Sequence, residues 1–193
     1  MQMFEAAELS LLVDRCRVAD ADNPRGYFEF EPVKGLARDS SFFADAVGKG
    51  IKVVAPLLRF LPDTYHYAVV FIERPMAAVL ASQRVMLSRI SDGESSSRGA
   101  LSEEALQQAF EKSQRASNAW LRAASNADVL YVKHPTTPAD SLEMAEAIVG
   151  FSAKFRDVTG FGAGSLRDVP LRPALVREMA AVVEPSLNRQ GRN

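Results

Sequence analysis

The apolar positions of this chain fall into runs of two kinds, helical and extended, and their order predicts a mixed fold. Met3, Ala7 and Leu11, with Phe4 and Leu12, recur at helical spacing and predict the end of an amphipathic helix over about 1–12. Asp39, Ser40 and Ser41 are cap-type residues ahead of a short helix through Ala46, which Gly48 would end. In "GIKVVAPLLRFLP" an apolar run predicts a buried strand over 51–55, and Pro56 a helical turn over 56–61. "HYAVVFI" is the clearest strand, and its near-continuous apolar character suits a parallel strand covered on both faces. Pro75 then takes a first-turn position, where its missing N–H costs nothing, in a helix to about Ile90.

Beyond the polar loop "SDGESSSRG", Ser102 caps a long helix to about Ala124. Glu103 and Glu104 in its first turn complement the helix dipole. Leu106, Phe110, Trp120 and Leu121 are its core candidates. "DVLYVKH" predicts a third strand. Asp140 or Ser141 opens a helix ending near Phe155, "TGFGAGS" is a glycine-rich surface loop, and a last helix covers about 173–183. Strands alternating with helices argue for an α/β fold with a mainly parallel sheet. No repeat or linker interrupts 1–193, so one domain is expected, and 193 residues suffice for a sizeable core.

Composition narrows the function classes. A net charge of −1 gives no general pull toward nucleic acid or membrane, so anion binding must rest on a few placed residues. A single cysteine, Cys16, rules out an internal disulfide and suits a reducing compartment. Cys16 has no evident activating partner and is expected to be buried or inert. The opening "MQMFEAAELSLLVD" carries acids early and does not read as a signal peptide, so a cytoplasmic protein is expected.

The candidate chemistry gathers at one strand end. In open α/β sheets, ligands sit beyond the carboxyl ends of the strands. Arg74 follows the strand 67–72, and its planar fork of donors suits a phosphate. Ser82 comes eight residues later, on the following helix. Taken alone, the pair also reads as a solvated loop arginine and a small packing serine.

A wider likeness bears on that choice. "NPRGYFEFEPVKGL", "KGIKVVAPLLRFLPDTYHYAVVFIERPMAAVLASQRVML" and "MAAVVEPSLNRQ" together resemble the bacterial sulfotransferase family, and the likeness runs in order over most of the chain. The resemblance implies a P-loop NTPase-like fold, a three-layer parallel sheet with flanking helices. It implies transfer of a sulfuryl group from 3′-phosphoadenylyl sulfate to an acceptor hydroxyl or amine. In that family an Arg at a strand end and a Ser eight positions on bind the cofactor's 3′-phosphate, which implies that role for Arg74 and Ser82.

Two features depart from the family pattern. Its first strand and phosphosulfate loop, a Gly-x-Pro-Arg-Ser-Gly-Thr-like stretch, would precede the helix that opens this chain, so an N-terminally truncated fold is expected. "TGFGAGS" does not replace the loop, because no strand leads into it. Many relatives also carry a Lys-Thr-His-like stretch with a general base where this chain has "KVVAP", and Ala55 cannot take a proton. The catalytic base is therefore unassigned. A non-catalytic nucleotide-binding or protein-interaction module on the same fold is the competing reading, with self-association through an exposed sheet edge. A nucleotide kinase is weaker, for want of a Walker-type loop.

The remaining polar residues leave alternatives open. His134 follows the third strand at its carboxyl end, where some relatives stack an aromatic ring on adenine. It is either a cofactor contact of that kind or a loop residue. His66 falls in a turn at the opposite end of the sheet. Asn23, Arg25, Gly26, Tyr27 and Glu29 form a block that either faces the acceptor or fixes a loop. Asp20 and Asp22 lack a third ligand for a metal. Lys49 and Lys52 read as solvated strand flanks.

Overall fold

The computed structural model describes residues 1–14, 16–19, 23, 26–91, 102–155 and 173–182. "TGFGAGS", Asp20, Asp22 and Arg25 lie outside them, as does most of "SDGESSSRG". The elements in order are α1 (Gln2–Ala6), a 3-10 turn over Glu31–Gly35, α2 (Phe43–Ala46), a second 3-10 turn over Ala55–Phe60, β1 (Tyr67–Glu73), α3 (Met76–Ser91), α4 (Glu103–Ala123), β2 (Ala127–Lys133), α5 (Pro138–Ala153) and α6 (Pro173–Ala181). The fold is mixed α/β with a small parallel sheet, in which β1 and β2 pair from Tyr67 opposite Ala127 to Glu73 opposite Lys133. Among the described residues no helix is long and apolar enough to cross a membrane.

Side-chain alternation along the strands places one core on each face of the pair. Tyr67, Val69, Phe71 and Val129 pack against a core of Leu36, Phe43, Ala46, Leu58, Leu61 and Leu121. Val70 and Leu130 turn the other way, onto Met3, Ala7, Ala145, Ile148, Leu175 and Met179. The first core is thus built on α2, the second 3-10 turn and α4; the second is built on α1, α5 and α6. Apolar residues on both faces are what a covered parallel strand requires.

The chain start differs from the expected helix over 1–12. Only Gln2–Ala6 is helical, because Glu8 adopts a left-handed conformation (φ 59°). Leu9 N–H donates to Phe4 O and Glu8 N–H to Glu5 O, each at 2.9 Å. This is a Schellman closure with Glu where Gly is usual. Leu11 then leaves the helix face and makes an isolated parallel bridge with Gly50. A Cβ on Gly50 would lie 2.8 Å from Leu11 Cδ2, so a larger residue there would require the Leu11 side chain to shift.

The strand expected over 51–55 is extended chain without a ladder. Ile51, Val53 and Ala55 pack into the α4-side core, whereas Val54 is exposed. The period-two burial is that of a strand, but the only described ladder contact there is the bridge at Gly50. The 3-10 turn begins at Ala55, one residue earlier than Pro56 implied.

Candidate functional site

Strand order and register carry Arg74 and His134 to the same place. Each is the first residue beyond its strand, and the last paired residues, Glu73 and Lys133, are partners across the ladder. The ladder contact continues one step further, with the His134 N–H donating to Glu73 O at 2.8 Å. Both side chains are half-buried. Burial lowers the pKa of the His134 imidazole, and the positive charge of Arg74 lowers it further. His134 Nδ1 lies 3.1 Å from Pro135 O. A carbonyl only accepts, so Nδ1 carries the hydrogen and Nε2 holds the lone pair of the neutral ring.

Ser82 is placed differently. It lies on an exposed stretch of α3, six residues beyond Met76 and about 9 Å further along the axis. Arg74 and His134 are brought together at the strand ends, and Ser82 lies on the helix that follows.

The loop from His134 into α5 is rigidly built. Sequence reasoning offered Asp140 or Ser141 as the start of this helix, but the cap is Thr137 and the helix starts at Pro138. Thr137 Oγ1 accepts from Asp140 N–H at 3.1 Å, and the Asp140 carboxylate accepts from Thr136 N–H, Thr136 O–H and Thr137 N–H at 2.7–2.9 Å. Hydrogen bonding by Thr136, first of all from its hydroxyl, holds Asp140 down at about 2, against an ordinary 3.8. A depressed carboxylate stabilises the folded state above its unfolded pKa and loses that contribution as pH falls through its folded pKa. The thermal midpoint of the protein is therefore expected to exceed that of Asp140→Asn at pH 5, and the gap to close between pH 4 and about 2. A gap that does not change over that range would show that the box does not stabilise the fold.

A second polar cluster ties distant segments together. Asp14 accepts from Cys16 N–H and Glu31 N–H, while its own N–H donates to Glu29 O. Lys52 Nζ donates to Tyr27 O at 3.0 Å and meets Glu29 Oε1 at 3.3 Å. Arg17 lies over the Tyr27 ring at 3.4 Å and 3.9 Å from Glu29. Lys52 is therefore no solvated strand flank, whereas Lys49 is exposed. Sequence reasoning missed the link because its partners lie 23 and 25 positions away, with no local pattern to mark them. Glu29, engaged by two cations, anchors its loop.

Cys16 is exposed, contrary to the expectation of burial. The hydrogen bond to Asp14 raises its thiol pKa, which disfavours the thiolate. His66 is exposed in the turn before β1, with Nε2 2.7 Å from Asp128 Oδ2, at the amino end of the strands and away from Arg74. Among the described residues, no group of three or more His, Cys, Asp or Glu could hold a metal ion.

No family model, curated protein or solved structure matches this chain.

Proposed function

We propose that this chain is a sulfotransferase-like domain of three-layer, P-loop-like design whose strand ends bind the nucleotide of 3′-phosphoadenylyl sulfate. The observation that carries the reading is the pairing of Arg74 and His134 at the carboxyl ends of adjacent parallel strands, where open α/β sheets take ligands. Arg74 meets the 3′-phosphate with its guanidinium fork, Ser82 adds a hydroxyl from α3, and the His134 ring flanks the base. The reaction is sulfuryl transfer to an acceptor hydroxyl or amine. Its requirements are in-line placement and stabilisation of charge on the equatorial oxygens.

One observation favours a non-catalytic relative. Ala55, at the position where the resemblance implies a base, opens a 3-10 turn and packs into the α4-side core. In that reading the nucleotide site persists without turnover, and the protein self-associates through an exposed sheet edge.

The test is titration with adenosine 3′,5′-bisphosphate. Binding is expected, and Arg74→Ala is expected to weaken it by about 10- to 100-fold, the span for losing charge-assisted hydrogen bonds. Equal affinity in the two proteins, or none in either, would overturn the nucleotide site. Sulfuryl release from 3′-phosphoadenylyl sulfate then separates the enzyme from the silent relative.

A further inference from the structure

We infer that the Arg74–His134 site takes up a proton when it binds a dianion, so that phosphate- and sulfate-type ligands bind more tightly in mild acid. This rests on the anion-binding part of the reading above and adds to it a regulation by pH. The geometry supplies the coupling. His134 is fixed beside Arg74 by the ladder bond from its N–H to Glu73 O, and its ring is oriented by Nδ1–H donating to Pro135 O. The position left for a second proton is Nε2. Without a ligand, burial and the Arg74 charge both oppose that proton.

A dianion at Arg74 reverses the Coulombic part of that opposition, the part that ranks after burial. It offsets the guanidinium charge and adds a negative charge of its own, so the ring takes a proton more readily than without the ligand. Nε2 then takes a proton from solvent and becomes a donor. By linkage, a ligand that raises the pKa of a group must bind more tightly once that group is protonated. The sign is fixed: affinity rises as pH falls through the range between the two His134 pKa values.

Other charged residues border the site. Asp140, at the start of α5, is held at about 2 and stays ionised. Glu73 and Lys133 are the paired strand residues that border it. The chain has two histidines, and the other, His66, sits at the far end of the strands.

The experiment is a histidine NMR titration of the full chain from pH 5 to 8.5, with and without inorganic sulfate. Sulfate keeps its double charge over that range, so any pH dependence belongs to the protein. Sulfate is expected to raise the His134 midpoint and leave that of His66 unmoved. Sulfate affinity is expected to rise about tenfold for each unit of that shift. In His134→Gln the pH dependence should vanish while some sulfate binding persists; in Arg74→Ala the shift should vanish. A His134 midpoint that sulfate does not move overturns the inference. If adenosine 3′,5′-bisphosphate binds through Arg74 and His134 does not respond to sulfate, the coupling fails and the nucleotide site stands. If sulfate moves His134 but the bisphosphate does not bind, the coupling stands and the nucleotide reading fails.

Discussion

Leu175→Ala is expected to destabilise the protein by roughly 2–5 kcal/mol, a large share of the 5–15 kcal/mol that holds a typical domain together. Leu175 is 2 % exposed and Met179, one helical turn on, 1 %. They join Met3, Ala7, Ala145 and Ile148 in one core, so truncation leaves a cavity walled by three helices. Such a cavity closes only partly, because α5 and α1 are held by their own contacts. Leu142→Ala on α5 is the control. That side chain is 39 % exposed, and its loss should cost less than about 1 kcal/mol. Urea unfolding of the three proteins checks this. Equal midpoints for Leu175→Ala and Leu142→Ala would mean that α6 does not dock as described.

Long, strongly patterned segments were legible in the sequence. β1, β2, α3, α4 and α6 fall where β-branched runs, Pro75, Ser102 and apolar spacing placed them, with ends shifted by at most two residues. The segments that misled were short. Five apolar residues over 1–12 fit a helical period, yet Leu11 and Leu12 serve a bridge and the α4-side core after Glu8 turns the chain. A left-handed Glu leaves no mark in a sequence, because glycine is the usual sign of that closure. The run 51–55 has the composition of a strand, but a strand also needs a partner, and pairing is a property of the whole fold.

The candidate site divides along the same line. That Arg74 ends one strand and His134 another could be read from the sequence. That the two strands are neighbours in parallel register, so that one residue lowers the pKa of the other, could not. Strand adjacency joins residues 60 positions apart through a crossover containing α3 and α4, and no local pattern encodes it. The start of α5 is another such case. The sequence reading offered Asp140 or Ser141, whereas the cap is Thr137, and what decides is which side chain meets which N–H.

Phe43→Ala is expected to cost about 3–5 kcal/mol, the range for emptying a buried aromatic site. Phe43 is 3 % exposed; it stacks on Phe42 at 4.9 Å and meets Tyr67 edge-on at 6.0 Å. It ties α2 to the first residue of β1, on the face opposite Leu175. The two substitutions together ask whether the cores unfold as one. Trp120 is the only tryptophan and packs against the Phe43 core, so its fluorescence reports that face alone. If the strand pair couples the faces, Leu175→Ala should lower the Trp120 midpoint as much as it lowers the helical signal, and Phe43→Ala should do the same. Separate transitions would divide the chain into two units meeting at β1 and β2. The outcome bears directly on the site. Arg74 and His134 have no common element beyond the ladder between those strands, so their juxtaposition lasts only while both cores grip it.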